Sequence, residues 1–256
     1  MNFIHMESRK LMNLQKDHWT QKDYQDFLIY LHEQVDSTYR EFHSRLVPEH
    51  QNILGIRIPV LKKIAKEISK GNYKEFIKEN HHNYYEETMI HGLILGDIKC
   101  PFSELFVLLE DFLPYNDNWA INDTVCANLK SLKKDQDKTF DYIVHYLSKD
   151  DPWRIRFGLI LLLDHYLNDT YIDTILELCH RIHSEEYYVK MAVAWLLSIC
   201  YVKYPNKTMA FFKNNQLDNW THNKAIQKTC ESLRVTQEEK ENLRKLKRKS
   251  VIYEGS

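Results

Sequence analysis

WRIRFGLILLLDHYL, residues 153–167, decides the fold class. Its apolar residues recur every three or four positions, and the run is too long for an ordinary strand. Asp151-Pro152 stands in front of it and places a proline in the first turn of a helix. The same periodicity extends outward on both sides. Downstream it covers residues 171–182, 187–204 and 224–233; upstream it covers 140–147, 103–113, 84–98, 57–68 and 24–35. Short alternating segments bounded by turn residues, the mark of strands, are nearly absent. Only 6 Gly and 6 Pro occur in 256 residues, which argues against a turn-rich sheet and a glycine-rich nucleotide loop.

Boundary residues agree with this reading. Ser184 precedes Glu185 and Glu186, acids suited to a helix start. Thr236 and Glu239 form a capping box. Pro205 stops the helix from Tyr187 and can open the next one. From Ser103 onward helices start about every 15–20 residues, so helix pairs recur at the size of a HEAT-like unit. Each pair leaves an apolar face that a neighbour must cover. The expected fold is therefore all-α, a HEAT-like or ARM-type α-α superhelical solenoid with a concave basic face. A compact irregular bundle fits the same pattern. Residues 1–20 are expected to be a leader or short docking helix. Residues 21–256 are expected to be a single repeat domain with a basic C-terminal helix at about 236–249.

Composition is that of a soluble globular chain, 43% hydrophobic and 28% charged. No run approaches a membrane span and the N-terminus is too broken by charge for a signal peptide. These features predict a cytoplasmic, bacterial-type protein with no membrane partner. The five cysteines, Cys100, Cys126, Cys179, Cys200 and Cys230, are widely spaced and form no C-x-x-C pair. His81 and His82 lack neighbours at metal-ligand spacing, so neither metal nor cofactor is expected. The formal net charge is -1. Yet residues 190–234 carry seven Lys/Arg against Asp218 and Glu231, so a near-neutral total can hide a basic face. KENLRKLKRK, residues 240–249, adds Arg244 and Lys245 to a tail that reads either as a solvated helix end or as a phosphate-contacting arm.

The candidates for chemistry lie in three short motifs. In DNWAIND, Trp119 and Asp123 are four apart and share a helix face. An indole in a first turn can offer its ring to a cation, and the carboxylate can stabilise positive charge or orient water. The other reading keeps Trp119 in the core and Asp123 as a surface or cap residue. In DPWRIRFG, Arg154 and Arg156 point to different sides, and a cation this close to a helix start suits a bound anion. In YYVKMAVAW, Trp195 fits either a core or a groove, and Tyr187 and Tyr188 are groove candidates. Lys190, Asn223, Lys224 and Lys228 add donors. The pattern places Asn223-Lys224 before a helix whose N-terminus could hold a phosphate. No zinc-protease, serine-hydrolase or phosphate-loop motif occurs.

These segments together resemble the AlkD-type DNA alkylation repair family, the HEAT-like DNA glycosylases. The resemblance runs from about Ile53 to Lys249. ILGIRIPVLKKIAKEI resembles the family's early turn into a helix. DNWAIND resembles the segment with its catalytic aspartate, DPWRIRFGLILLL the segment with its DNA-facing arginine, YYVKMAVAWLLS the helix with its second tryptophan, and NKAIQKTCESLR its closing basic helix. The resemblance favours Arg156 over Arg154. It implies removal of N3- or N7-alkylated purines from double-stranded DNA by a monomer. Asp123 would then act at the anomeric carbon, Trp119 and Trp195 would offer aromatic faces, and Arg156 would hold the flanking phosphate. Two other functions fit the bare residue pattern: a non-catalytic HEAT-like DNA-binding module, and a protein-interaction scaffold.

Overall fold

Fourteen α-helices supply the regular structure of the described residues, and no strand occurs among them. The computed structural model describes residues 12–48 and 52–249. The beginning of the expected leader and the chain beyond 249 lie outside the described residues. Contacts divide the chain into two units, Met1–Tyr115 and Asn116–Ser256.

The first unit holds α1 (Gln21–His32), α2 (Ser37–Leu46), α3 (Ile58–Ile68), α4 (Tyr73–Glu79), α5 (Tyr85–Asp97) and α6 (Phe102–Phe112). Leader residues 12–20 form no helix. They dock irregularly: the Lys16 carbonyl accepts from Asn72 N at 2.8 Å, and Trp19 N donates to Glu75 at 2.9 Å. Trp19 then joins Phe27 and Phe76 edge to face, at 6.0 and 4.9 Å between ring centres. Helix α5 is apolar around most of its circumference, and Tyr85 through Leu95 are all buried. α3 packs on one side of it and α6 on another.

Two acids at the start of α5 organise this unit. Glu87 accepts from the Tyr24 hydroxyl and from Tyr84 N, which ties α1 to α5. Glu86, 1% exposed, accepts from three successive amides, Leu54 N at 2.9 Å, Gly55 N at 2.8 Å and Ile56 N at 3.2 Å. Gly55 has φ +92°, and a Cβ there would stand 2.3 Å from Arg40 Cβ. Only glycine turns the chain so that all three amides meet one carboxylate.

The second unit has a two-layer order. One layer is α7 (Trp119–Asn128), α9 (Pro152–Leu161), α11 (Tyr187–Lys203) and α13 (Asn219–Glu231), each packed on the next. Their first residues recur at intervals of about 32–35, at or just below the period of about 35–40 read from sequence. The intervening helices α8 (Gln136–Leu147), α10 (Ile172–Arg181), α12 (Pro205–Lys213) and α14 (Gln237–Arg244) pack against this layer. Buried α9 and α11 need cover on more than one side, which explains their near-continuous apolar runs. Gly158 lets α8 approach α9: a Cβ there would lie 2.8 Å from the Leu147 side chain.

A π-helical turn, Leu162–Tyr166, continues α9. It is stitched in place by His165 Nε2 on the Cys126 carbonyl at 2.7 Å and by contact between the Tyr166 and Thr139 hydroxyls. Asp151, Thr236 and Pro205 take the terminal positions expected of them. One cap and two boundaries differ. α11 begins at Tyr187 after Glu186, and Ser184 holds the preceding turn by accepting from Glu186 N at 3.1 Å. α13 begins at Asn219 because Asp218 accepts from Trp220 N and Thr221 N, so Asn223-Lys224 lie inside the helix. The basic C-terminal helix ends at Arg244, and residues 245–249 continue without helical structure.

Candidate functional site

Three layer helices converge on one guanidinium. Asn118 caps α7 by accepting from Ala120 N and Ile121 N, and this sets Asp123 on the second turn. Asp151 does the same for α9 and sets Arg156 on its second turn. Arg156 Nε donates to Asp123 Oδ1 at 3.0 Å and Nη2 to Oδ2 at 2.7 Å. Its Nη1 donates to the Tyr188 carbonyl at 2.7 Å, in the first turn of α11. The contacts join the second turns of α7 and α9 to the first turn of α11.

This ion pair is well covered, with side-chain exposures of 6% for Arg156 and 17% for Asp123. A two-pronged guanidinium fixes both position and plane of the carboxylate. A relay of amides adds to it: Asn116 Nδ2 donates to Asn122 Oδ1 at 2.8 Å, and Asn122 Nδ2 donates to Asp123 Oδ1 at 3.0 Å. With Oδ1 accepting twice and Oδ2 once, Oδ2 keeps an acceptor position for an outside group. The sequence placed Arg156 on a phosphate. In the structure each of its three nitrogens donates once, two to Asp123 and one to the Tyr188 carbonyl, and the buried side chain holds the carboxylate.

Aromatic rings occupy the first turns of the same layer. Trp119 starts α7, and Trp153 stands at the second position of α9. The Trp153 ring lies 5.0 Å from Tyr188, Tyr188 5.2 Å from Tyr187, and Tyr187 5.7 Å from Trp220 on α13. Trp119 is half-buried one turn before Asp123, as the spacing predicted. Trp195 is also half-buried but sits two turns further along α11, and no ring contact or hydrogen bond joins it to Asp123 or Arg156.

The candidate cations separate. Lys190 is drawn between Glu185 at 3.2 Å and Asp218 at 3.4 Å. Arg154 lies 3.7 Å from Asp151, and Lys224 donates to Gln227 at 3.1 Å. Lys228 is half-buried one turn after Lys224. Arg244 and Lys245 are exposed at the end of α14, where Lys245 reaches Asn242. Asn223 is structural: it donates to the Arg248 carbonyl and accepts from Arg248 N, both at 2.8 Å. It does not present a phosphate site at a helix start.

Sequence reasoning missed Trp153, Trp220 and Asp164. The first two had a visible signal. Asp-Asn-Trp at 117–119 recurs at 218–220, and Asp-Pro-Trp opens α9. Each couples a capping side chain to an indole in the first turn. Asp164 had none, because its position depends on the π turn. Burial, then the charge of Asp123, pushes its carboxyl up to about 6, while Lys133 opposes the rise. Its folded value is raised above the unfolded one, so ionisation costs stability as pH rises from about 4 through 6. Asp164→Asn is expected to stabilise the protein by about 1–2 kcal/mol at pH 8, after allowance for partial solvent screening, and to be neutral below pH 4. Urea unfolding at the two pH values checks this, and equal effects at both would contradict it.

Among the described residues no group of three His, Cys, Asp or Glu side chains is placed to hold a metal ion, and no helix is long and apolar enough to cross a membrane. An all-α helical repeat with a buried carboxylate–guanidinium pair beside a row of aromatic rings is the class this fold and site define. A family model, described as DNA alkylation repair enzyme, matches residues 29–229. The chain belongs to that DNA alkylation repair family. No curated protein matches it.

Proposed function

We propose that the protein is a DNA glycosylase that hydrolyses the N-glycosidic bond of N3- or N7-alkylated purines in duplex DNA. The observation that carries this reading is Asp123, a carboxylate locked by Arg156 with one acceptor position left on Oδ2. An alkylated purine is cationic and leaves readily. As its bond to the anomeric carbon breaks, the sugar gains oxocarbenium character. A fixed carboxylate stabilises that charge and accepts a hydrogen bond from the attacking water. Water adds to the anomeric carbon, its proton is released, and the base departs with the bonding electrons.

Arg156 acts through Asp123 by fixing the position and plane of the carboxylate. Trp119 offers a ring one turn away, and Trp195 extends the apolar face along α11. Arg154, Tyr187, Tyr188, Lys224, Lys228, Arg244 and Lys245 would engage sugar and phosphate, with the catalytic layer forming part of a single HEAT-like domain that acts as a monomer in the cytoplasm of a bacterial-type cell. The reading invokes neither metal nor cofactor.

The test is release of 7-methylguanine and 3-methyladenine from methylated duplex DNA, with protein in excess over lesions and products resolved by chromatography. Release above the spontaneous rate of at least one base is expected. Absence of release for both bases overturns the glycosylase reading.

A further inference from the structure

Trp220 ends the row of first-turn rings, and its surroundings differ from those of the others. Its side chain is 38% exposed at the edge of a depression of about 450 Å³, lined also by Asp218, Asn223, Lys224 and Lys247. That volume lies within the range of small-molecule sites. Lys190 and Lys224 stand 5.7 and 5.5 Å from the ring centre.

The basic tail builds one wall. Arg248 sends Nη1 to the Leu217 carbonyl and Nη2 to Asn215, while Asn223 exchanges two hydrogen bonds with the Arg248 backbone. His222 Nε2 donates to the Leu246 carbonyl at 2.9 Å, and Asn219 Nδ2 to the Lys249 carbonyl at 3.0 Å. Exposure then alternates: Leu246 and Arg248 are partly covered, whereas Lys245, Lys247 and Lys249 are exposed. The tail is thus clasped to α13, and the clasp places Lys247 beside Trp220.

We propose that this depression binds one unstacked nucleotide of a DNA strand, with the base on Trp220 and its phosphate between Lys224 and Lys247. The proposal rests on the protein acting on DNA and adds a subsite apart from Asp123. An indole accepts any base by its π-face, and flanking ammonium groups neutralise the phosphate. A paired base inside a duplex offers no free face, so the site selects a bulged or displaced nucleotide. Lys224, now near the ring, stands on a flexible stem and can swing to phosphate as the base arrives, while Lys190 stays with Glu185 and Asp218. Asp218 does not oppose this, because its carboxylate is occupied by Trp220 N, Thr221 and Lys190.

The test uses the full chain and three probes: a duplex with a single bulged 2-aminopurine, the fully paired duplex, and free 2-aminopurine deoxyriboside monophosphate. Wild type is expected to bind the bulge about tenfold more tightly than the paired duplex, equivalent to about 1.4 kcal/mol, and to quench its fluorescence by stacking. Trp220→Ala should abolish this preference, and Trp220→Phe should keep part of it. Joint Lys224→Gln and Lys247→Gln should weaken bulge binding while leaving residual quenching.

Equal wild-type affinity for bulged and paired duplex overturns the proposal, as does a preference untouched by Trp220→Ala. If that variant does not fold, full retention of the preference in both the Phe variant and the lysine pair overturns it. Free nucleotide bound as tightly as the bulge overturns the strand assignment in favour of a mononucleotide site. Asp123→Asn should retain the preference. A bulge preference without base release defeats the glycosylase reading alone, and base release without the preference defeats this one alone.

Discussion

Asp123→Asn is expected to lower base release from methylated duplex DNA about 100- to 1000-fold. Asparagine keeps the shape but removes the charge that stabilises an oxocarbenium-like sugar. It also presents an amide donor to one donor of Arg156, leaving a guanidinium at 6% exposure without its partner. Breaking a covered ion pair from one side typically costs about 3–5 kcal/mol, and the partial exposure of Asp123 brings the expected loss to about 2–3 kcal/mol. Asp123→Glu separates the two effects. It restores the charge, so much of the stability should return, but an added methylene displaces the carboxylate by about 1 Å, enough to keep release at least about 100-fold down. Single-turnover release and urea unfolding on the three proteins provide the check. Equal release by wild type and Asp123→Asn would remove Asp123 from the reaction.

The largest effect on stability should come from the first unit. Glu86→Ala leaves the amides of Leu54, Gly55 and Ile56 without their shared acceptor in a site closed to water. Each stranded donor carries a penalty of about 1–3 kcal/mol. Some relaxation around the Gly55 turn is expected, so the predicted loss is about 3–5 kcal/mol. Glu86→Gln retains a carbonyl acceptor and should lose about 1–2 kcal/mol. Denaturant midpoints at unchanged slope give the comparison. An alanine variant as stable as the glutamine variant would show that the three amides find other partners.

Periodicity made much of the fold legible. Long helices such as α9 and α11 announce themselves because layer helices are apolar through several turns. Short helices were harder. α4, Tyr73–Glu79, buries one side chain, Phe76, so its sequence has little period to read. α2, Ser37–Leu46, is similar, with His43 as its buried residue. The start of α13 was hidden because Asn219, Trp220 and Thr221 look like loop residues until Asp218 is recognised as their cap. At the site, Asp123 and Arg156 could be nominated from sequence, but their bond could not. It joins residues 33 apart, and nothing in either motif says that the guanidinium turns inward. The motif alone suits Arg156 to a phosphate, and the geometry shows it gripping Asp123. Asp164 was invisible because a one-residue expansion of the helix turn sets its direction.

Arg156 grips α7 through Asp123 and α11 through the Tyr188 carbonyl while standing on α9. Its reach is fixed, so the orientation of the carboxylate depends on the spacing of three helices rather than on α7 alone. In a repeat structure each unit contacts only its neighbours, so this spacing is set locally. The site therefore works like a gauge. Even spacing keeps the three grips in register, and a movement of neighbouring helices apart draws the guanidinium from the carboxylate.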